Sequence, residues 1–359
     1  MFGLHIVKRE PMPWFKSMLV RAIAIVASLL LSAVVITLLT STNPLKIYAS
    51  MINGAFGSEL RVWSMAQNVA ILLCISLAVT PAFKMRFWNC GAEGQVLVGG
   101  LANVSVMMFL GDKLPYPVLI VVMILASVAA GVIWAVIPAI FKAIWNTNET
   151  LFTLMMNYVA IQLVKFFVVL WEKQKGAGVM STLTTGKLPM LFGVDYGWSI
   201  VIILVITVLS YVYMRYSKQG YEIAVVGESE NTARYIGINV NKVVVRTMAI
   251  SGALCGLAGF LLVSGTHHIV KSDIVGGNGF TAIIVAWLAQ LNPLMMILTS
   301  FFVSFLDIGT AKIASSCNLN DYASDVVVGV ALFIILASEF FINYRVIFNK
   351  HSKKEKEGK

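Results

Sequence analysis

The chain runs repeatedly for about 20 residues with almost no charge, and that pattern sets its solvent before anything else. Such runs lie at 18–39, 64–83, 95–110, 117–140, 151–171, 198–214, 243–264, 279–291, 294–312 and 324–343. A helix of a soluble protein sets an apolar stripe against a polar face, whereas these segments are apolar nearly all round. Charged residues make up 12% of the sequence, about half the ~25% of an ordinary soluble domain. The expectation is an all-α polytopic membrane protein of about ten transmembrane helices, because in lipid every backbone group must be bonded within its own segment. The third and eighth runs are short for a hydrocarbon layer of about 30 Å crossed at roughly 1.5 Å per residue, which leaves tilted, half-buried or re-entrant placement open. The first run exceeds a signal-peptide core and lacks a small-residue cleavage site, so it reads as a retained span.

A net charge of +10 on a soluble module suggests nucleic acid. Here the basic residues sit at the ends of the apolar runs, and no nucleic acid is expected. With the amino terminus in the cytoplasm, the 27 Lys and Arg fall about two to one on the inner side, which places both termini there. The tail from Arg345, with Lys353, Lys354, Lys356 and Lys359, then lies beside anionic membrane lipid. The four cysteines and four histidines show neither a disulfide framework nor metal-ligand spacing. There is no phosphate loop, since Gly186-Lys187 is followed by Leu188, and no His-Glu-x-x-His or Gly-x-Ser-x-Gly motif. Enzymatic chemistry and a cofactor in this chain are not expected.

Polar groups inside an apolar bundle are costly unless paired or hydrated, and so are functional candidates. The richest cluster is Trp88-Asn89-Cys90-Gly91-Ala92-Glu93-Gly94-Gln95. It is either a cavity-lining stretch of irregular backbone or a turn with a capped helix start. A second feature, Gly276-Gly277-Asn278-Gly279, leads into a short apolar run stopped by Asn292-Pro293. Dividing the chain 1–359 into two five-helix halves puts these features at equivalent positions with opposite orientation, the pattern of inverted repeats about a central pathway. Gly252, Gly256 and Gly259 are spaced for close helix packing.

Asn146 and Glu149 have the spacing of a helix capping box. Asn157 and Gln162 lie deeper in the same run and face either a pathway or a neighbouring helix. Asp307 is a carboxylate well inside a span, as ion-coupled transport requires. Between the sixth and seventh runs, 220–239 reads as a short inner-surface helix, with Glu230, Arg234 and Ile238 spaced by fours and Gly237 as its C-terminal cap.

Four blocks carry a family resemblance. The stretch from Trp88 to Gln95 resembles the Phe-Asn-Ile-Gly-Ala-Glu-Gly-Gln signature of permease subunits of bacterial nucleoside ABC importers, within the branched-chain amino acid and ribose permease superfamily. Asn148 to Tyr158 is similar to that family's Asn-Glu-x-Ile-x-Thr-Leu-Met-Leu-Asn-Tyr, 233–239 to its Ala-Arg-Tyr-x-Gly-Ile-Asn, and 279–286 to its Gly-Phe-Thr-x-Ile-x-Val-Ala. The departures are Trp88 for Phe, Cys90 for Ile, Leu151 for Ile and Met156 for Leu.

The resemblance implies a permease in the bacterial plasma membrane that forms half of a translocation pathway. Its partners would be a paralogous permease in a heterodimer, a cytoplasmic ABC ATPase that binds the ATP and magnesium, and an extracytoplasmic substrate-binding lipoprotein. Trp88, Asn89, Glu93, Gln95 and Asn157 would line the substrate pathway, and 220–239 would be the coupling helix, meeting the ATPase through Glu222, Glu228, Glu230, Arg234 and Gly237. The cargo implied is a purine nucleoside. Riboflavin or a simple sugar in the same architecture, and an ion-coupled carrier working through Asp307, are the alternatives.

Overall fold

The computed structural model describes residues 3–9, 12–40, 43–172, 176, 180–191, 193–317 and 321–349. In chain order the elements are β1 (Gly3–Lys8), α1 (Trp14–Thr40), α2 (Pro44–Phe56), α3 (Glu59–Lys84), α4 (Ala92–Leu110), α5 (Tyr116–Trp145), α6 (Glu149–Trp171), α7 (Gly197–Tyr216), α8 (Lys218–Glu228), α9 (Glu230–Tyr235), α10 (Val240–Leu262), α11 (Asn278–Leu288), α12 (Pro293–Ser316), α13 (Asp321–Asn343) and β2 (Tyr344–Asn349). Each of the ten apolar runs is a helix, and among the described residues eight helices are long and apolar enough to cross a membrane. Those eight include α4, the short third run, which gains three residues at its start. The eighth run is different. At 11 residues, α11 rises about 16 Å, half of a bilayer core. The ninth and tenth runs, in α12 and α13, are long and apolar enough to cross, and α1 carries its apolar stretch over Leu19–Val34.

The described residues fall into two compact units, one comprising 1–55 with 306–359 and the other 56–305. In the first unit, α1 packs along α13, and Arg21 is paired with Glu339 between them. That pairing lets two charges sit within apolar helices. Gly54 of α2 lies on Lys312 and Gly309 on Met51. The terminal strands β1 and β2 pair antiparallel, from Gly3 opposite Asn349 to Lys8 opposite Tyr344, an element the sequence reading did not anticipate.

The second unit is built around α10, which packs against α5, α4 and α3. Its approach to α5 and α4 depends on residues without side chains. A Cβ on Gly256 would collide with the Ser127 carbonyl, one on Gly252 with the Gly131 carbonyl, and one on Gly259 with the Val96 carbonyl. Backbone-to-backbone contact of this kind is how helices associate where lipid offers no hydrophobic drive. After Leu262, α10 widens into a π turn at Val263–His267.

Helix starts are capped by short polar side chains. Ser58, Asn148, Ser217, Ser229 and Asn239 accept from backbone N–H groups of α3, α6, α8, α9 and α10 respectively. The expected pairing of Asn146 with Glu149 is corrected here. Asn146 ends α5 in the left-handed conformation at φ 51°, Asn148 caps α6, and Glu149 turns back to Lys142 at 3.0 Å.

Candidate functional site

The site begins where α3 stops. Past Lys84 the chain turns through Arg86 at φ 61°, and Phe87 N–H returns to the Ala82 carbonyl at 2.9 Å. Residues 87–91 then run to the start of α4 without helical bonds of their own. Side chains fill that gap. Asn89 Oδ1 accepts from Gly91 N–H at 3.0 Å and from Gln95 Nε2 at 3.2 Å, while its Nδ2 donates to Ser251 Oγ of α10 at 3.1 Å. Asn157 of α6 accepts from Gly94 N–H at 2.8 Å and donates to the Cys90 carbonyl at 2.7 Å. Asn157 thus supplies from another helix the cap that Gly91 lacks. Thr153 Oγ1 adds a bond from Cys90 N–H at 3.1 Å.

Glu93 reaches the other way. Its Oε1 accepts from Gly277 N–H at 3.0 Å and its Oε2 from Gly279 N–H at 2.7 Å, so its carboxylate caps α11 from the first turn of α4. Two helix starts therefore meet at one carboxylate, and among the described residues no cation pairs with it, so the positive ends of the helix dipoles offset its charge. Gly276 and Gly277 hold left-handed φ of 62° and 79°, which side-chain-bearing residues rarely adopt. A Cβ on Gly279 would stand 2.7 Å from Glu93 Oε2.

Beyond this junction lies an aromatic surface. Trp88 stacks on Trp287 of α11 with ring centroids 6.0 Å apart at 23°, and the buried Phe83 meets both rings edge-on. Trp88 and Trp287 are 47% and 43% exposed, so part of each ring remains open. Of the five residues expected along a pathway, Trp88 is exposed, while Asn89, Glu93, Gln95 and Asn157 are buried. All four bury at least one polar atom in bonds to protein; Gln95 Oε1 has no partner. Trp287 and Ser251 were missed. The only signal for Trp287 was its place one short helix beyond the Gly276–Gly279 feature, and for Ser251 a single hydroxyl in an apolar run.

The stretch from 218 to 239 is two helices where one was expected, because Ser229 is extended at φ −159° and caps α9 anew. Gly237, at φ 85°, ends the second. Ile223, Val226 and Ala233 anchor the pair in one apolar cluster with Met85, Phe87, Ala139, Val240 and Val244. Glu222 turns inward to Arg246 at 2.9 Å. Glu228, Glu230 and Arg234 are exposed, with 3.8 Å between Glu230 and Arg234. Tyr235 is 92% and Ile236 52% exposed, two apolar knobs beside the charged residues.

Residues 62–336 match the family described as the branched-chain amino acid transport system permease component. The chain belongs to that family. The permease is a multi-pass membrane transport component, not itself catalytic, of a kind that works with a separate ATPase and a binding protein. It is 29% identical over 346 residues to the guanosine ABC transporter permease NupP of Bacillus subtilis, covering 94% of this chain and 97% of that one. To a second guanosine permease of the same organism, NupQ, it is 23% identical over 231 residues, covering 60% and 71%. A glucose ABC transporter permease of Haloferax volcanii is 26% identical over 358 residues, covering 96% and 93%.

Proposed function

We propose that this permease forms half of the pathway of an ABC importer in a bacterial plasma membrane and carries nucleosides, purine nucleosides first. The observation that carries the reading is the likeness, along almost the full length of both chains, to a guanosine permease. The exposed parts of the Trp88 and Trp287 rings fit that cargo, since any base offers a ring to stack on and such stacking is worth about 1–3 kcal/mol. The likeness to a glucose permease keeps a simple sugar as the alternative, with riboflavin beside it. Family membership favours ATP-driven import over ion coupling through Asp307.

The partner permease is a paralogue, a reading supported by the fuller match to one guanosine permease of Bacillus subtilis than to the other. Both termini and the α8–α9 pair face the cytoplasm, where Glu228, Glu230, Arg234 and Tyr235 meet the ATPase. The ten-helix inverted repeat takes α1 and α3–α6 as one half and α7 and α10–α13 as the other. The meeting of α4 and α11 at Glu93 supports it, since these are the third helices of the two halves.

Uptake of radiolabelled guanosine by a deletion strain, complemented with the whole operon, tests the cargo. Uptake restored by wild type and reduced about five-fold or more by Trp287→Ala, with Trp287→Phe largely retained, is the expected result. Restored glucose or riboflavin uptake with none of guanosine would reject it.

A further inference from the structure

Helix α6 packs on one side only. Thr153, Asn157, Ala160, Val164 and Val168 are buried, chiefly against α4. Its outward stripe includes apolar Met155 and Phe166, 48% and 62% exposed, and also Tyr158, Gln162 and Lys165, all exposed. Spaced by four and three, these polar residues stand one above another on a single face. Among the described residues, none of the three side chains has a hydrogen-bond or ion-pair partner.

The same unit shows what a lipid-facing surface looks like. On α5 the exposed positions from Val118 to Phe141 are apolar, among them Val121, Leu125 and Ile133, and on α7 so are those from Val201 to Val212. The α6 stripe breaks that rule at its middle. Lys165 lies six residues from the end of the helix at Trp171, near enough for its long stem to reach an interface. Gln162 has no such escape: it sits about 13 Å from the Trp171 end and about 20 Å from the Glu149 end, on a short side chain. An amide with no partner at that depth is tolerated only against water or another polar surface. Tyr158, Val159, Gln162, Leu163 and Phe166 line a shallow open groove there.

We propose that the Tyr158, Gln162 and Lys165 face of α6 lines a water-filled passage and touches an uncharged polyhydroxylated solute. The Gln162 amide both donates and accepts, and the Tyr158 hydroxyl does the same, which suits sugar or ribose hydroxyls. Lys165 sets a positive charge in the same passage and disfavours cations. The inference rests on the transport reading but not on the choice of cargo.

The test is reactivity toward a membrane-impermeant, charged methanethiosulfonate. Gln162→Cys, Tyr158→Cys and Leu125→Cys are each placed in the full transporter with Cys74, Cys90, Cys255 and Cys317 replaced by serine or alanine. Reaction at Gln162→Cys and Tyr158→Cys at least tenfold faster than at Leu125→Cys, slowed by the transported solute, is expected. Rates as slow as at Leu125→Cys, whether from lipid or from dry contact with the other permease, would overturn the assignment. Fast labelling with no guanosine uptake would remove the nucleoside reading and leave this one standing, whereas slow labelling with intact uptake would do the reverse.

Discussion

Glu93 bonds two backbone N–H groups of another helix, at 3.0 and 2.7 Å, from a position 7% exposed. Removing a buried partner leaves the full desolvation penalty of whatever it was bonded to, about 1–3 kcal/mol for each N–H. Glu93→Ala orphans both Gly277 and Gly279. Glu93→Gln keeps one acceptor, turns an NH2 toward the other N–H, and loses the attraction of two helix dipoles, each worth up to about 2 kcal/mol in a partly buried setting. The apparent melting temperature of the detergent-solubilised permease is expected to fall for Gln and to fall further for Ala. Unchanged melting in both would show that the carboxylate does not hold α4 to α11.

At the level of elements, α8 and α9 are fastened to the rest of the unit by Ile223, Val226 and Ala233 in a cluster that also holds Met85 and Phe87. Phe87 directly precedes Trp88, so a push on this helix pair bears on the stretch that leads into the Glu93 junction. Arg234→Glu and Tyr235→Ala change only exposed groups. Both variants are expected to insert normally and to lose co-purification of the ATPase together with uptake; retention of both activities would count against docking there. The sequence made the ten apolar helices readable because lack of charge over about 20 residues admits few other structures. It hid α2, which mixes Lys46, Tyr48, Ser50 and Asn53 into its 13 residues and buries only a narrow stripe of Ile47, Met51 and Ala55, too short a pattern to stand out beside the long apolar runs. It hid the break at Ser229 because a serine cap inside a polar stretch looks like any other serine. At the site, Asn89, Glu93 and Asn157 stand out in the sequence through the cost of polar groups in lipid. Their partners do not, because Glu93 and Gly277 are 184 positions apart and no local spacing encodes that approach.

Over the whole molecule, the bond from Glu93 to Gly277 joins the chain before the α6–α7 connection to the chain after it. A break in that connection leaves α11 without its cap in the later piece and the buried Glu93 carboxylate without its two N–H partners in the earlier one. The piece ending after α6 is therefore expected to be degraded when made alone and to be rescued by co-expression of the remainder, read out by pulse-chase in membranes; a long-lived solitary piece would contradict this. The same bond also sets a clock. A ribosome adding about 5–20 residues each second emits Gly277 184 residues after Glu93, an interval of about 10 to 40 s. During that interval the carboxylate has no partner and the membrane has no room for it, so the early helices wait, protonated, hydrated or held by the insertion machinery, until the late glycines arrive.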